Sequence, residues 1–466
     1  MKATYVTQEE ETRLQEAAQW VRDCAERPET YHIVTYGCQM NAHDSEKIAG
    51  MLSGMGLKEA EDRTRADLVI FNTCCVRDNA ERRALGNVIW LKQLKKEKPN
   101  LLIGVCGCMV QQPQMAERIL KQYSFIDLAF GTHNLHRLPL LLKTVLEEKH
   151  RVVSISQEEN LIAEGVPAKR LRQDHAYITI MYGCDNFCSY CIVPYVRGRE
   201  RSRRPEDILR EAEGLLQSGA KEIMLLGQNV NSYGKGLDAP MSFPQLLREL
   251  DKMGVPRIRF MTSHPKDLSE ELIEAMADCS HVCNHLHLPV QSGSDEILRQ
   301  MNRHYDRAAY LDKVEKLRRA VPGIGLTTDL IVSFPGETQE QFEETCSLVR
   351  QVGYDAAFTF IYSPRVGTKA AAMPGQIPPE ESTRRIEKLI QVVEESTARV
   401  NASMVGQVEH VLVEGLSKRN EHQVSGKGTR NITVTLDGDA RDIGTIIPVR
   451  ITSAAVNTLR GERITE

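Results

Sequence analysis

The chain has 466 residues, 41% of them hydrophobic and 26% charged, a composition typical of a globular protein with room for about three domains. Lys and Arg number 59 and Asp and Glu 63, so the net charge of −4 excludes a globally basic surface and leaves only local basic patches for a nucleic-acid partner. The N-terminus is too acidic for a secretory signal, and no apolar stretch approaches the roughly 18 residues that span a bilayer, so we expect a cytoplasmic protein without membrane contact.

The first 150 residues predict a helical extension followed by a parallel sheet. Leu14, Ala17 and Val21 lie at helical spacing within residues 1–30. In residues 31–150, short apolar runs alternate with helical patterns, an order that favours βαβ units and a flavodoxin-like sheet. The predicted strands are Tyr31–Tyr36, Asp67–Phe71, Leu101–Val105 and Ile126–Phe130.

The rest of the chain predicts a linker and two further domains, so the fold class is α/β with a small all-β end. Residues 151–173 are polar and mixed, which indicates a linker. Residues 174–396 resume the alternation of strand and helix and predict a partial or complete (β/α) barrel. In residues 397–466 helical patterns fade, and short strands separated by glycines predict a small all-β barrel. The predicted strands of the central domain are Tyr177–Met181, Glu222–Leu226, Arg257–Met261, His285–Val290, Leu326–Val332 and Ala357–Ile361.

Three cysteines follow the first strand of the central domain at the spacing Cys-x3-Cys-x2-Cys. Cys184, Cys188 and Cys191 can ligate three irons of a [4Fe–4S] cluster and leave the fourth iron open. Four-ligand zinc sites usually present two pairs of ligands, so a zinc knuckle is the weaker alternative. The spacing, with Tyr190 before the third cysteine, makes this segment resemble the radical S-adenosylmethionine (SAM) superfamily. That resemblance implies that SAM binds the open iron.

Further barrel segments resemble the SAM-binding elements of that superfamily, although each is also compatible with an ordinary strand–turn–helix corner. A SAM contact is expected at the end of the second, fourth and fifth strands of the central domain. Ser333 departs from the glycine that is usual at its position. The residues expected to contact SAM are Gly227, Gln228, Asn229, Gln291, Ser292, Gly293 and Ser333.

Three more cysteines lie just beyond the carboxyl ends of successive strands of the first sheet. Cys38, Cys74 and Cys108 should meet at one rim, because parallel strands end at the same edge. Three thiols in register predict a second cluster with an open iron, although buried structural cysteines are the alternative. Cys75 is expected to point away from Cys74, and Cys106 to share a face with Cys108; core packing is the preferred interpretation of both.

Together these segments resemble the methylthiotransferases, a family of radical SAM transferases, from about Tyr31 to the end of the chain. Gln39, Met40 and Asn41 favour the members that act on isopentenylated adenosine in tRNA. The C-terminal barrel resembles a TRAM domain, an RNA-binding module. The shared segments are GCQMN at 37–41, NTC at 72–74, GC at 107–108, GCDNFCSYCIVPYVRGRERSR at 183–203, TSHP at 262–265, LHLPVQSGSD at 286–295 and FPGE at 334–337.

The resemblance implies a two-stage reaction at two [4Fe–4S] clusters. One SAM methylates sulfur held at the cluster of Cys38, Cys74 and Cys108, and a second SAM yields a radical at the other cluster. The methylthio group then joins C2 of N6-isopentenyl(dimethylallyl)adenosine at position 37 of tRNA. An electron donor and a sulfur source are required partners, and we expect a monomer.

Basic residues in two places are candidate RNA contacts, because cationic side chains beside an active site can position phosphates. The alternative is solvated loops whose cations pair with nearby carboxylates. Residues 397–466 contain no Phe, Tyr or Trp, so phosphate contacts rather than base stacking are expected there. The candidates are Arg197, Arg199, Arg201, Arg203, Arg204, Lys418, Arg419, Lys427 and Arg430.

Three alternatives remain open from the sequence. A sibling enzyme would act on threonylcarbamoyl-adenosine in tRNA or on a ribosomal protein. A non-catalytic iron–sulfur RNA-binding protein would not cleave SAM. A radical SAM enzyme with a single cluster would bind about four irons rather than about eight.

Overall fold

The computed structural model describes residues 3–75, 78–156, 161–418 and 420–464 of the chain. The N-terminal region is a six-stranded parallel sheet in the order β3-β2-β4-β5-β6-β7, with helices on both faces. Its first five strands have the flavodoxin-like order, which confirms the predicted fold of this region. Its elements are β1 (Thr4–Tyr5), α1 (Gln8–Asp23), β2 (Thr30–Thr35), α2 (Gln39–Gly54), β3 (Lys58–Glu59), β4 (Leu68–Thr73), α3 (Asp78–Glu97), β5 (Leu102–Gly107), α4 (Pro113–Gln122), β6 (Leu128–Phe130), α5 (Leu138–Glu148), β7 (Val152–Ser154) and β8 (Leu161–Ile162).

The segment predicted to be a linker, residues 151–173, contains two strands. β7 pairs in parallel with β6 and forms the edge of the first sheet. Val152 packs against the core on one face of this sheet and Val153 against the core on the other, so the short strand is half-buried with contacts on both sides. β8 pairs with β1, which ties the N-terminal extension to the same segment. The sheet therefore extends past residue 150. Its edge strand was not predicted, because three residues carry too little periodicity to stand out in the sequence.

The central region is a partial (β/α) barrel. Its six parallel strands form two three-stranded sheets, β9-β12-β13 and β14-β15-β16, which meet at a bridge between Ile258 and Val282. Its elements are β9 (His175–Thr179), β10 (Met181–Tyr182), α6 (Val193–Arg197), β11 (Arg201–Ser202), α7 (Pro205–Gln217), β12 (Glu222–Leu226), α8 (Phe243–Lys252), β13 (Arg257–Phe260), α9 (Glu270–Asp278), β14 (His285–His287), α10 (Asp295–Gln300), α11 (Arg307–Ala320), β15 (Gly325–Val332), α12 (Gln339–Val352), β16 (Ala356–Ile361) and α13 (Pro379–Ala402).

The C-terminal region is a closed five-stranded barrel in the order β17-β18-β19-β21-β20. It encloses a core of aliphatic side chains, among them Val411, Val434 and Val449. Its strands are β17 (Val408–Ser417), β18 (Asn420–Lys427), β19 (Thr433–Asp437), β20 (Ile446–Ala454) and β21 (Thr458–Arg463).

The N-terminal region contacts strands β9 and β12 of the central barrel. Met40, near the start of α2, packs against Met224 and Leu226 of β12. The hydroxyl of Thr179 in β9 also contacts the sulfur of Met40 at 3.4 Å. This contact brings the rim where β2 and α2 meet to the interior side of the barrel.

Within the described parts of the chain, no helix is both long enough and apolar enough to cross a membrane.

Candidate iron–sulfur and SAM site

The loop with Cys184, Cys188 and Cys191 joins β10 to the short helix α6. Gly183 begins it with φ +75°, and a Cβ there would lie 2.1 Å from the carbonyl oxygen of Arg199, so only glycine fits this close approach. Cys184 donates its backbone N–H to Gly198 O at 3.1 Å, which closes the loop on itself. Burial raises the pKa of the Cys184 thiol to about 12 and raises that of Cys191 further above its usual range. Such thiols stay protonated unless a metal takes the proton's place.

The loop is also fastened from the far side, by residues that follow α10. Ser189 donates its backbone N–H to Met301 O at 3.0 Å. The side-chain amide of Asn302 donates to the carbonyl oxygens of Asn186 and Phe187, each at 3.1 Å. The three cysteines therefore lie on a loop of fixed shape, as a preformed ligand set requires.

The second triplet meets where the first sheet's strands end, as the sequence predicted, and Asn41 joins its members. The carboxamide oxygen of Asn41 lies 3.7 Å from Cys38 Sγ and 3.9 Å from Cys108 Sγ. Its amide nitrogen donates to Thr73 O, next to Cys74, at 3.1 Å. A Cβ on Gly37 would lie 2.7 Å from Cys74 Cβ, so the loops that carry Cys38 and Cys74 touch.

Within this site Cys38 is exposed, whereas Cys74 and Cys108 are buried. A hydrogen bond from Cys75 and the nearby charge of Arg197 lower the pKa of Cys108 to about 6. A thiol with such a pKa is largely a thiolate at neutral pH, which is the form that binds metal.

The preferred interpretation of the two neighbouring cysteines, core packing, is confirmed, because both are buried in core clusters, but the expectation that Cys106 shares a face with Cys108 was wrong. Cys75 follows the end of β4 at Thr73, where the strand alternation stops, and it is hydrogen-bonded to Cys108. Cys106 packs on the opposite face of the sheet from Cys108. Gly107 has φ +93° and ends β5, so the chain turns between these two cysteines.

Neither triplet has the geometry of a single-ion site. Across the residues that the structure describes, no three His, Cys, Asp or Glu side chains lie close enough to hold one metal ion. The cysteines of an iron–sulfur cluster bind different irons and need not converge on one point. Each triplet supplies three thiol ligands, one fewer than the four of a structural zinc site and enough for three irons of a cluster.

The predicted SAM contacts fall into two groups. Gln291 and Ser333 adopt φ of +74° and +61° at the ends of β14 and β15, and such backbone strain is concentrated at functional sites. Thr262 has φ +67° at the end of β13 and was not predicted. Among the described residues, Ser333 Oγ is buried without a hydrogen-bond partner, so it is available to a polar ligand.

The other predicted SAM contacts pack against or form hydrogen bonds with neighbouring segments of the protein. Ser292 shares a hydrogen bond with Thr345 Oγ1 of α12 at 3.3 Å, and a Cβ on Gly293 would lie 2.5 Å from Glu344 O. The turn thus packs these two residues against α12, and a SAM contact by them stays a prediction. Gln228 accepts from the Gly183 backbone, Asn229 donates to Asp267 at 2.7 Å, and Gly227 lies too close to Met181 for a Cβ. The latter three position the strand end, with only their backbone left for SAM.

Most of the predicted RNA-binding arginines are also structural. Arg197, Arg201 and Arg203 are buried, so the prediction that they contact phosphates is corrected. β11 pairs with β10 and carries this segment into the junction between the N-terminal and central regions. Arg199 and Arg204 are more exposed and pair with Asp185 at 2.9 Å and Asp207 at 2.7 Å.

The predicted RNA contacts in the C-terminal barrel differ in their exposure to solvent. Lys418 is exposed. Lys427 is half-buried, and Arg430 pairs with Asp355 at the junction with the central barrel, so RNA contacts by these two residues stay predictions. Arg419 lies outside the described residues. Exposed cations that the sequence analysis missed include Arg450 and Arg460, whose alternation on strands could have indicated an outward face.

Three family models match successive parts of the chain. Residues 30–131 match "Uncharacterized protein family UPF0004", residues 178–349 match the radical SAM superfamily, and residues 402–464 match the TRAM domain. Members of the radical SAM superfamily use SAM and an iron–sulfur cluster, and both groups fit the loop and strand ends described above.

Among solved structures, TsrM from Kitasatospora setae, a radical SAM methyltransferase with cobalamin and a [4Fe–4S] cluster bound, is similar in fold. Its TM-score is 0.53 at 16% identity, over 74% of this chain and 77% of that one. The same enzyme with tryptophan and a SAM analogue bound gives a TM-score of 0.51 at 15% identity, over 71% and 72% of the two chains. These likenesses support the α/β fold.

Curated relatives are similar over nearly the whole chain. The tRNA-2-methylthio-N(6)-dimethylallyladenosine synthase of Caldicellulosiruptor saccharolyticus is 52% identical over 93% of this chain and 92% of its own length. The same-named enzymes of Alkaliphilus oremlandii and Clostridium tetani are 52% and 50% identical, over 94% and 93% of this chain and 93% and 96% of their own lengths. Because about half of the residues are identical over nearly the whole chain, this chain belongs to the family of the tRNA-2-methylthio-N(6)-dimethylallyladenosine synthases.

Proposed function

We propose that the chain adds a methylthio group to C2 of N6-isopentenyl(dimethylallyl)adenosine at position 37 of tRNA. The observation that carries the proposal is the half-identity to synthases of that name over 93% of the chain, which includes both cysteine triplets. The match to a TRAM domain supports an RNA substrate. The sibling reactions on other substrates have no comparable support.

The proposal includes two clusters, one at each triplet. Cys184, Cys188 and Cys191 would hold the cluster that binds SAM, and the triplet at the rim of the first sheet, defined by Cys38, Cys74 and Cys108, would hold the second. When bound, SAM and the clusters supply one-electron cleavage of a sulfonium bond, hydrogen abstraction and a methylated sulfur. The packing of Met40 against Met224 supports this arrangement, because it places the rim of the first sheet against strand β12 of the barrel.

The protein's own part is to hold these groups in place and to exclude water. The loop of the first triplet is fixed by Gly183, Ser189 and Asn302, so its ligand positions need no rearrangement. Asn41 performs the same task at the second triplet. Ser333 and Gln291 are the side chains that we propose contact SAM.

The test is anaerobic reconstitution of the protein, followed by incubation with dithionite, SAM and isopentenylated tRNA and mass analysis of the digested RNA. We expect the 2-methylthio derivative of isopentenyladenosine together with 5′-deoxyadenosine. 5′-Deoxyadenosine without that nucleoside would refute the substrate, and activity only on threonylcarbamoyl-adenosine tRNA or a ribosomal protein would support a sibling reaction. Neither product, with about eight irons bound, would favour a non-catalytic binding protein.

Three variants separate the roles of the clusters. Cys188→Ala should abolish 5′-deoxyadenosine formation. Cys74→Ala should retain it, bind about four irons and lose methylthiolation. Cys346→Ala is the matched control, because Cys346 is fully buried in the barrel core away from both triplets. Full methylthiolation by Cys74→Ala would refute the second cluster.

A further inference from the structure

Each cysteine triplet has one buried arginine that donates a hydrogen bond to a cysteine sulfur. Arg197 Nε lies 3.2 Å from Cys108 Sγ, and Arg303 Nη1 lies 3.3 Å from Cys188 Sγ. Both arginine side chains are almost completely buried. Arginine is rarely buried without a specific partner, so two such contacts at two candidate clusters require an explanation.

Arg197 follows one triplet closely in the sequence and contacts the other triplet in the folded protein. It lies in the last turn of α6, six residues after Cys191, yet its guanidinium reaches the rim of the first sheet. Nη2 donates to Asn41 Oδ1 at 3.0 Å and to Asp44 Oδ2 at 2.7 Å. The side chain that belongs to the loop of one triplet is therefore bonded to a ligand of the other.

Arg303 has a different set of partners. Nη2 donates to Pro289 O at 2.6 Å, and Nε donates to Tyr305 Oη at 2.9 Å. No carboxylate in the described parts of the chain forms an ion pair with Arg303, whereas Arg197 is paired with Asp44. The positive charge beside Cys188 is therefore less compensated than the charge beside Cys108.

A donor and a positive charge next to a ligand sulfur stabilise the more negative, reduced state of an iron–sulfur cluster. Hydrogen bonds to the sulfurs and local charge are among the factors that set the reduction potential. The effect is stronger in a buried site, because water screens the charge less.

We propose that Arg197 and Arg303 are positioning residues that each raise the reduction potential of the cluster they contact, Arg303 more than Arg197. This inference rests on the two clusters of the proposed function. It assigns Arg197 to the cluster at the rim of the first sheet and Arg303 to the cluster that binds SAM. Asp44 then lowers the reduction potential of the cluster at the rim of the first sheet, because its negative charge opposes the positive charge of Arg197.

The test is a redox titration of reconstituted full-length protein without SAM or tRNA, in which electron paramagnetic resonance detects the reduced cluster. Each cluster is isolated by replacing the three cysteines of the other triplet with alanine. Arg197→Gln, Arg197→Lys and Asp44→Asn are measured in the background that keeps Cys108, and Arg303→Gln and Arg303→Lys in the one that keeps Cys188. Arg210→Gln and Arg299→Gln are controls, because both arginine side chains are exposed and form ion pairs with Asp207 and Glu296, outside the two triplets.

Both glutamine variants should shift the midpoint potential of the cluster that remains to more negative values, with the larger shift for Arg303→Gln. Both lysine variants, which keep the charge, should shift it less. Asp44→Asn should shift the potential to more positive values, a sign that a merely structural role would not produce. The two controls should leave the potentials unchanged.

Unchanged potentials in both glutamine variants, with the irons retained, would overturn the inference and leave the proposed function intact. Loss of the cluster from both the glutamine and the lysine variant at one site would also overturn it there, in favour of a structural role. Failure of the parent protein with Cys38, Cys74 and Cys108 to bind any cluster would instead refute the two-cluster part of the proposed function.

Discussion

Gly183 donates its backbone N–H to Oε1 of Gln228 at 2.6 Å, so the loop that carries Cys184, Cys188 and Cys191 is held to the end of β12. The end of β12 is also where a SAM contact is expected. One hydrogen bond therefore sets the position of the candidate cluster relative to the strand end beside it.

Replacing Gln228 by alanine should slow SAM cleavage by tenfold or more. The change leaves the Gly183 N–H without its acceptor, and a displacement of about 1 Å at a reacting centre can cost up to about 100-fold in rate. The measurement is the rate of 5′-deoxyadenosine formation with dithionite, normalised to bound iron. Gln217→Ala, at the exposed end of α7, is the control, and an unchanged rate for Gln228→Ala would show that the bond does not matter.

Gly293→Ala should destabilise the barrel by about 1–3 kcal/mol through overpacking. The new Cβ would lie 2.5 Å from Glu344 O and 2.7 Å from Thr345 Cα, and neither backbone atom can move without moving α12. The measurement is urea unfolding of the two proteins. Gly214→Ala is the matched control, because its Cβ meets nothing within 4 Å inside α7 and should stabilise the helix by up to about 1 kcal/mol. Equal stability of Gly293→Ala and the parent would contradict the packing argument.

Strand and helix positions were predicted well where the periodicity is long. β12 spans Glu222–Leu226 as predicted, and the two cysteine triplets lie at strand ends as their spacing indicated. β7 was missed because three residues carry too little pattern. Secondary structure and the chemistry of clustered cysteines are local properties, which one sequence can reveal.

Side-chain partners that depend on the contact between regions were not predictable. Arg197 lies in a run of arginines that resembles a basic patch, and only the folded chain shows that it reaches Asn41 and Cys108. A charge run in the sequence does not distinguish a solvated cation from one buried at a junction, because burial is decided by distant segments. Cys75 illustrates the same limit at a strand end, because its hydrogen bond to Cys108 joins two loops that are far apart in the sequence.

Glu222→Gln should remove part of the protein's dependence on pH in acid. Burial alone would raise the pKa of Glu222, but Arg259, His175 and Arg257 outweigh it and hold the pKa well below 4.5. The folded state thus binds fewer protons than the unfolded state, so the stabilisation is complete above about pH 4.5 and is lost as the pH falls towards the lowered value.

The measurement is the free energy of unfolding of both proteins at pH 7 and at pH 3. At pH 7 the variant should be less stable by about 3 kcal/mol or more, because two buried arginines lose their carboxylate. At pH 3 the difference should shrink, because Glu222 is then protonated in the unfolded parent but still ionised in the folded parent, so the parent's unfolded state gains stability that the variant's does not. A difference that is the same at both pH values would show that the charge of Glu222 does not carry the effect.

Lys418→Ala should weaken tRNA binding a few-fold at moderate salt and lower the slope of log affinity against log salt concentration by about 1, as the loss of one phosphate contact does. Lys418 is exposed at the end of β17, on the barrel that matches a TRAM domain. Lys427→Ala is the matched control, because Lys427 Nζ donates to Asn431 O at 3.2 Å and to Thr433 Oγ1 at 2.9 Å. That variant should lower the stability of the barrel while leaving the salt slope unchanged. The measurement is fluorescence anisotropy with labelled tRNA at several salt concentrations. A reduced slope for Lys427→Ala but not for Lys418→Ala would contradict the prediction and place the RNA contact at Lys427.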